Sequence, residues 1–443
     1  MMASYASIFF LGIALAWAAT NKSGVLPFDW YVAMVLIGLS SLVYWSRRRK
    51  TLAPPLPSWL RWTIAAVVLY MAFQLIPLPL PLLAVLSPTR VELARALQPV
   101  SGSLSSAPLS VDPPADLLWL LTLLTCLSAF FLLRELTFRF KARPGLVLFP
   151  LLAVATLEAA LGLVQVSAGA TQATGTYNGR DHYVCILELC LPITISYGML
   201  LFSRRHYLAA GNAGNPSVLP MLAAAGVWLL ASIQLLAILA SLSRAGILDT
   251  LLALLVLGLL FLSPRLSSPF SRIAVVISLL LGLAAVLIFA SPAALLARLA
   301  DTDTQTEGRF LIWSQSLPLH KAFAWFGTGL MGFDPTFLKY QASMNSLRID
   351  FAHNDYLQYL IELGIIGFLP LMAAVGGVIW PIFSAALRSG RQHRIMVVGC
   401  TASLFALAVH SSFDFNLYVP ANVLASAWVM GCGSVFAVVG DEP

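Results

Sequence analysis

Long apolar stretches recur along the whole chain, and their length limits the possible folds more than any other feature. Twelve can be counted, most of them about 17–25 residues long, which is the length that a helix needs to cross a bilayer. They cover roughly residues 4–20, 28–46, 59–86, 116–134, 145–168, 183–202, 218–240, 245–263, 273–291, 356–384, 395–413 and 420–439. With 59% hydrophobic and 10% charged residues, little remains for a soluble domain. The sequence predicts an all-α integral membrane protein, one polytopic domain over residues 1–443.

The basic residues are unevenly distributed, and their distribution predicts how the chain is oriented in the membrane. If twelve helices start from a cytoplasmic N-terminus, 16 of the 26 Lys and Arg residues fall in short inner loops. These 16 are Arg47, Arg48, Arg49, Lys50, Arg61, Arg134, Arg139, Lys141, Arg143, Arg204, Arg205, Arg265, Arg272, Arg388, Arg391 and Arg394. An excess of cations in the inner loops is the rule for membrane proteins. We therefore expect both termini to be cytoplasmic, and the net charge of +7 needs no nucleic-acid partner.

Three segments between the apolar stretches face the outside in this topology. Residues 87–115 are rich in Pro and Ser and are typical of a surface loop, and residues 169–182 are short and polar. Residues 292–355 form the largest outer region, in which aromatic residues at helical spacing alternate with glycines. Since a long loop with structure of its own is usually functional, we expect short helices here that lie on or in the membrane and close over a cavity.

Ionisable residues near an apolar boundary are costly and are usually functional. In the predicted topology Arg180, Arg244, Arg309 and His353 all reach the same outer boundary. Arg244 lies in a tight turn between two apolar stretches, where Gly246 permits close packing, and His353 precedes the next long stretch. Cations and an imidazole that face one aqueous compartment indicate a site for a phosphorylated lipid.

Several short motifs resemble those of a known family. Phe351-Ala-His-Asn-Asp-Tyr-Leu-Gln358, followed by Glu362-Leu-Gly364 and Gly367, is similar to the signature of the O-antigen ligase and polymerase superfamily. Ser243-Arg-Ala-Gly246, the stretch from Gly308 to Trp313, and Gly327-Thr-Gly329 resemble its other recurring elements. The motifs Thr174-Gly-Thr-Tyr-Asn178 with His182, and the stretch from His410 to Asn422, also match patterns of many members. The resemblance runs from about residue 170 to 425, with Tyr177 and Arg180-Asp181 where many relatives have Phe and Arg-Asn.

The resemblance implies a glycosyltransferase of the bacterial inner membrane with its active site on the periplasmic face. The implied donor is a glycan linked to undecaprenyl pyrophosphate, and no metal or other cofactor takes part. In a ligase the acceptor is the lipid A–core saccharide and the product is lipopolysaccharide, and we prefer this interpretation. The alternative is an O-antigen polymerase, which extends repeat units that are themselves linked to undecaprenyl pyrophosphate.

The same resemblance assigns roles to individual residues. Arg244 and Arg309 match positions that would bind the donor pyrophosphate, where the planar guanidinium suits phosphate oxygens. Arg180 is a further candidate for this binding, and the departure at Arg180-Asp181 leaves its role open. His353 is the candidate general base, since a neutral imidazole can remove the proton of an acceptor hydroxyl near neutral pH. Direct attack on the sugar would invert its configuration.

Other polar residues have weaker signals. His182, Trp313 and Asn354 are possible substrate-binding residues, although a loop histidine is often only solvated, an interfacial tryptophan is common and Asn354 suits a helix cap. Arg244 and Arg309 could instead form salt bridges, for example with Asp301, Asp303 or Glu307. His410 is interpreted as an ordinary structural histidine, and no metal site is expected.

A lipid or polysaccharide transporter remains the main alternative outside the enzymes. Twelve helices and basic residues in a cavity would fit that class as well. A transporter, however, should place its polar residues near the middle of the membrane, on broken helices of a repeated half. The sequence shows no such repeat, and its key residues cluster at one boundary, so an enzyme is favoured.

Overall fold

A computed structural model describes residues 2–47, 51–102, 104–211, 218–262, 304–341, 348–388 and 394–439. Within these ranges the protein is almost entirely helical. The longer helices are α1 (Met2–Thr20), α2 (Pro27–Ser46), α3 (Ser58–Gln74), α7 (Pro113–Arg139), α8 (Gly145–Ser167), α9 (Arg180–Gly211), α10 (Leu219–Ala240), α11 (Arg244–Leu262), α12 (Thr304–Ala322), α14 (Asp355–Ala386), α15 (Arg394–His410) and α16 (Pro420–Phe436). The prediction of an all-α membrane protein is confirmed.

Shorter elements complete the described ranges. They are helices α4 (Leu80–Leu86), α5 (Pro88–Ala96), α6 (Gln98–Ser101) and α13 (Phe333–Phe337), and 3-10 turns at Lys22–Gly24 and Asn416–Tyr418. Two-residue strands β1 (Leu78–Pro79) and β2 (Ser106–Ala107) pair antiparallel, Leu78 opposite Ala107. The Pro- and Ser-rich segment is thus more ordered than the surface loop expected there, because its apolar residues Val91 and Leu109 form a small buried core with Leu83 of α4.

Eight of the described helices are long and apolar enough to cross a bilayer, namely α1, α2, α7, α8, α9, α10, α11 and α14. Helices α15 and α16 are apolar but shorter, with 17 residues each. In the predicted stretch 59–86 the first helix ends at Gln74, and the prolines that follow separate it from β1 and the short helix α4. The predicted stretch 273–291 lies outside the described residues, so twelve spans remain a prediction.

Helix α9 occupies the centre of the bundle. Of its apolar window 78% is buried, whereas none of the other seven candidate spans exceeds 50%. It packs against α8, α10, α11 and α15. Small or close-packing residues allow these approaches, as at Gly399 of α15, where an added Cβ would lie 2.5 Å from Ser196 Oγ of α9. The start of α9 is therefore surrounded by the ends of its neighbours.

At the end of the bundle opposite the start of α9, charged side chains join neighbouring elements by hydrogen bonds. The carboxylate of Glu135, near the end of α7, accepts hydrogen bonds from the Leu52 and Ala53 amides at 2.8 and 3.1 Å. Arg134 donates to Ser434 Oγ at 2.6 Å, and Arg394 donates to the Ala386 carbonyl at 3.0 Å. These basic residues are used for helix packing, which leaves a different set of polar residues at the other end.

Helix α14 is interrupted at Gly364, whose backbone adopts φ 60° and ψ 179°. The segment from Ala324 to Gly329 enters this break and pairs with its free backbone groups: the Ile365 amide donates to the Ala324 carbonyl at 2.8 Å, and the Gly329 amide donates to the Glu362 carbonyl at 2.9 Å. Gln74 of α3 donates to the Phe326 and Glu362 carbonyls at 2.8 and 3.1 Å. Irregular backbone is tolerated beside a membrane only where the protein satisfies it in this way.

The described part of the large predicted outer region packs onto α14. Helix α12, with 19 residues, is longer than the short helices expected here, while α13 has five residues. Ile312, Leu319, Phe323, Phe333 and Phe337 form a buried apolar cluster between these two helices and α14. Residues 292–303 and 342–347 lie outside the described residues.

We predict that Gly364→Ala destabilises the protein by at least about 2 kcal/mol, because only glycine readily adopts its backbone conformation. The added Cβ would also lie 2.4 Å from the Trp325 carbonyl oxygen. Gly376→Ala in the same helix is the matched control, since a Cβ there meets no atom within 4 Å, and it should change stability by no more than about 1 kcal/mol. Thermal unfolding in detergent measures both, and equal melting temperatures would contradict the proposed role of the break.

Candidate active site

His353 lies immediately before α14, in a left-handed backbone conformation with φ 49°. Asn354 caps the helix, since its side-chain oxygen accepts a hydrogen bond from the Leu357 amide at 3.0 Å. The alternative interpretation of Asn354 as a helix cap is therefore confirmed, and its contact with a substrate stays a prediction. The cap fixes the backbone next to His353, whose side chain remains 35% exposed.

Asp414 is the direct partner of His353. Its Oδ1 lies 3.0 Å from His353 Nδ1, and the carboxylate is almost completely buried. The Asp355 amide donates to the carbonyls of Ser411 and Asp414 at 2.8 and 3.2 Å, which fixes the loop after α15 to the start of α14. Asp414 lies in the family-like stretch from His410 to Asn422, but no role was predicted for it from the sequence. The only signal was its place in that motif, four residues after His410.

A second histidine approaches the same carboxylate. His182, in the first turn of α9, places its Nε2 3.7 Å from Asp414 Oδ2, which is too long for a direct hydrogen bond. The Phe415 ring is in T-shaped contact with both imidazoles, with ring centroids 4.5 Å from His182 and 5.0 Å from His353. Phe351 stacks on the other side of Phe415 at 4.0 Å. The two histidines and Asp414 thus form one cluster that packs against the stacked rings of Phe415 and Phe351.

The charge state of Asp414 follows from these neighbours. Burial alone would raise the pKa of its carboxyl, but His182 and the hydrogen bond from His353 outweigh burial and hold the pKa below the ordinary value of 3.8. The group is therefore a carboxylate at neutral pH. A carboxylate can only accept, so His353 donates through Nδ1–H, and its Nε2 carries the free lone pair when the ring is neutral. This is the arrangement that orients an imidazole as a general base.

Arg180 and Arg244 are each the first residue of a helix, and their two helices meet at these ends. Ser243, just before α11, donates a hydrogen bond to the Asp181 carboxylate in α9. A Cβ at Gly246 would lie 2.3 Å from Val184 Cγ1, so the close approach expected at this glycine is observed. Arg180 itself donates to Gln172 Oε1 at 2.9 Å. Two guanidinium groups thus stand at neighbouring helix N-termini, where the helix dipoles also favour anions.

Arg309 belongs to α12, whose next turn contacts the His353 segment. Trp313 donates from its indole nitrogen to the Ala352 carbonyl at 2.9 Å, and its ring lies 6.4 Å from that of Phe413. Because residues four apart share a helix face, half-buried Arg309 lies on the face that meets this segment. The possible salt-bridge partners Asp301 and Asp303, and the side chain of Glu307, lie outside the described residues.

Hydrogen bonds to Glu158 of α8 fix the loop before α9. The Glu158 carboxylate accepts from the Thr176 amide at 2.9 Å and from the Thr176 hydroxyl at 2.8 Å. The Tyr177 hydroxyl lies 3.4 Å from Asn422 Oδ1, and the side-chain amide of Asn422 donates to the His182 carbonyl at 3.0 Å. The tyrosine therefore supports His182 indirectly.

The structure places all the predicted site residues at one end of the bundle. Arg180, Arg244 and His353 lie at the starts of α9, α11 and α14, while Arg309 and Trp313 lie on the helix that packs beside His353. Arg134 and Arg394 lie at the opposite end. A cationic site beside a carboxylate-oriented imidazole can bind a diphosphate and deprotonate a hydroxyl.

Comparison with known proteins agrees with this geometry. Residues 227–372 match the family model described as O-antigen ligase. This match confirms the resemblance to the O-antigen ligase superfamily. It covers about a third of the chain and includes Arg244, Arg309 and His353, whereas Arg180, His182 and Asp414 lie beyond its limits. No curated protein gives a significant match.

The family match supports glycan transfer of the O-antigen ligase type in lipopolysaccharide synthesis, by a multi-pass membrane protein that acts on lipid-linked glycans. It does not distinguish a ligase from a polymerase. The matched family implies a glycosyl or oligosaccharide transferase activity, which favours an enzyme over the transporter alternative.

The depressed pKa of Asp414 has a measurable consequence for stability. A carboxyl whose pKa is lower in the folded state stabilises that state above its ordinary value near 3.8, and this contribution is lost as the pH falls toward the folded-state pKa. Asp414→Asn cannot make this contribution at any pH. We expect the wild type to melt several degrees above Asp414→Asn at pH 7 and the difference to shrink between pH 4 and pH 3. A constant difference over this range would contradict a buried, ionised Asp414.

Proposed function

We propose that the protein moves a glycan from undecaprenyl pyrophosphate to the lipid A–core saccharide on the periplasmic face of the bacterial inner membrane. It acts as an O-antigen ligase, and the glycan inverts its configuration without the help of a metal at the reacting atoms. The observation that carries this proposal is the His353–Asp414 pair, at 3.0 Å, at the end of the bundle where Arg180 and Arg244 begin their helices. The family match over residues 227–372 supports it.

The arginines neutralise the leaving group. As the bond between the sugar and the pyrophosphate breaks, negative charge grows on the diphosphate oxygens. Fixed cations that face this charge stabilise the transition state, and removing one such group costs about 3 kcal/mol, which is roughly a hundredfold in rate. Arg244 and Arg309 are the proposed pyrophosphate ligands. Arg180 assists from the neighbouring helix N-terminus.

His353 activates the acceptor. Its Nε2 accepts the proton of an acceptor hydroxyl, and that oxygen forms a bond to the anomeric carbon as the bond to the pyrophosphate breaks. Asp414 holds the Nδ1–H and stabilises the imidazolium that results. The released undecaprenyl pyrophosphate keeps the electron pair of the broken bond. Attack from the face opposite the leaving group inverts the anomeric centre.

The remaining predicted residues bind or shape the sugar site. Trp313 presents an indole ring beside His353, and such a ring can stack on a sugar while its N–H stays bonded to Ala352. His182 lies beside the other carboxylate oxygen of Asp414, at 3.7 Å, where a protonated ring would interact with the negative charge. The contact of Asn354 with substrate is proposed to involve its side-chain amide, since its oxygen caps α14.

An apolar cavity supports a lipid-linked substrate. It has a volume of about 260 Å³ and extends along α14 from Ile379 to Tyr356, between α3, α7, α15 and α16. At its upper end it reaches Tyr356, Ser411 and Leu417, which border the His353–Asp414 pair. Its wall is almost entirely hydrocarbon, as a polyprenyl chain requires. We place the first part of the donor chain here, which would bring its diphosphate to the arginines.

The first experiment is transfer by purified protein, supplied with undecaprenyl-pyrophosphate-linked glycan and lipid A–core. We expect His353→Ala and Asp414→Asn to lower the rate at least a hundredfold, since the base is lost or loses its orientation. Arg244→Ala and Arg309→Ala should each lower it by a similar factor. Arg348→Ala is the matched control, because this arginine is 65% exposed and paired with Asp334 and Asp350, so it should retain the wild-type rate.

The products separate the possible functions. Glycan attached to lipid A–core establishes a ligase, whereas a longer glycan on undecaprenyl pyrophosphate would identify a polymerase that uses the same site. EDTA present only during the assay should leave the rate unchanged, since no metal is needed at the reacting atoms. Wild-type rates in His353→Ala or in both arginine variants would refute the assignment of the site.

A further inference from the structure

A second group of buried polar residues lies deeper in the bundle. Glu188 of α9, Asp249 of α11 and His410 at the end of α15 are each at most 1% exposed. His410 Nδ1 lies 2.8 Å from Glu188 Oε1 and 3.7 Å from Asp249 Oδ2. One ligand atom from each residue lies within 4.8 Å of the other two. The three side chains converge from three different helices.

Most polar atoms of this cluster have no partner among the described residues. Glu188 Oε2, His410 Nε2 and both carboxylate oxygens of Asp249 are buried without a hydrogen bond. Buried polar atoms are nearly always paired, and several exceptions at one place require an explanation. Asp249 is the extreme case, since among the described residues its nearest ion-pair partner is the imidazole of His410, at 3.7 Å.

The charge of the cluster is also unbalanced. Two carboxylates and one imidazole carry a net charge of −1 even when the imidazole is protonated. Isolated charge inside an apolar bundle is costly. A divalent cation with two carboxylates and a neutral imidazole gives a net charge of zero, and at the same time it provides a partner for the free carboxylate oxygens.

We propose that Glu188, Asp249 and His410 bind a divalent transition-metal ion, of which Zn²⁺ is the first candidate. Zn²⁺ takes imidazole nitrogen and carboxylate oxygen at about 2.0–2.2 Å with tetrahedral geometry, so that two of its ligand atoms are roughly 3.3 Å apart. The observed separations of 2.8 and 3.7 Å lie on either side of that value. The third pair, Glu188 and Asp249, has ligand atoms within 4.8 Å of each other, so an adjustment of the three side chains would let them bind one ion.

The proposed ion has a structural role. It joins α9, α11 and α15 two turns below the start of α9, away from the exposed imidazole of His353. The Asp414 amide donates to the His410 carbonyl at 3.1 Å, so the same cluster anchors the loop that carries Asp414. This inference does not depend on the transfer reaction, which still needs no metal at its reacting atoms.

The test is metal analysis of untagged protein, purified in detergent without added metal. Elemental mass spectrometry should find about one Zn²⁺ or other first-row divalent ion per chain. Glu188→Gln and Asp249→Asn, which keep the side-chain volume and remove the charge, should each lower this content at least tenfold. Glu158→Gln is the matched control, since Glu158 is equally buried but bonded to Thr176, and it should keep the ion.

A measurement on the wild type keeps the proposal testable if the variants do not fold. Prolonged dialysis against a chelator should lower the melting temperature, and stoichiometric Zn²⁺ should restore it while Mg²⁺ does not. Wild type that contains no metal, and whose melting temperature Zn²⁺ leaves unchanged, would overturn the proposal. Equal metal content in wild type and both folded variants would overturn it as well.

Discussion

The burial of the Asp414 carboxylate is the constraint on which the functional end of the molecule depends. A lone carboxylate in an apolar bundle would be strongly destabilising, and here His353 and His182 lie beside it while the Phe415 amide donates to it at 3.0 Å. Each of these contacts comes from a different element. Forming this one carboxylate environment therefore requires the start of α9, the start of α14 and the loop after α15 to meet, which also brings the arginines of α9 and of the adjoining α11 to the same place.

The break in α14 solves a related problem. A helix that passes straight through the membrane would keep α12 and α13 at the surface, away from the interior. Because Gly364 opens the helix, the 324–329 segment can enter and exchange backbone hydrogen bonds with it. The packing of α12 against α14 then sets the distance between Trp313 and Ala352, and hence the position of Arg309. The glycine at position 364, which lies outside the proposed active site, thus helps to determine the position of the Arg309 side chain.

Much of this arrangement could be predicted from the sequence, and the exceptions have physical reasons. The apolar lengths located most helices to within a few residues, since a bilayer sets the length. Arg244, Arg309 and His353 could be proposed as site residues because an ionisable group at an apolar boundary is costly. Asp414 could not, because a loop carboxylate is unremarkable until a partner is known across 61 positions of sequence. The motifs around Gly327 and Gly364 could be seen separately in the sequence, but only the fold shows that their backbones pack against each other.

His410 is the clearest example of a residue whose contacts cannot be predicted from the sequence. At the end of an apolar helix it was interpreted as an ordinary structural residue, and it is indeed fully buried. Its significance comes from Glu188 and Asp249, each on another helix and 222 positions away in the case of Glu188. The Asp414 pair needs only protons to balance its charge, since two imidazoles lie beside one carboxylate. The deeper cluster has the opposite ratio, two carboxylates to one imidazole. The same kinds of side chain thus favour a proton-transfer site in one place and a cation site in the other, and the ratio of acids to bases decides between them.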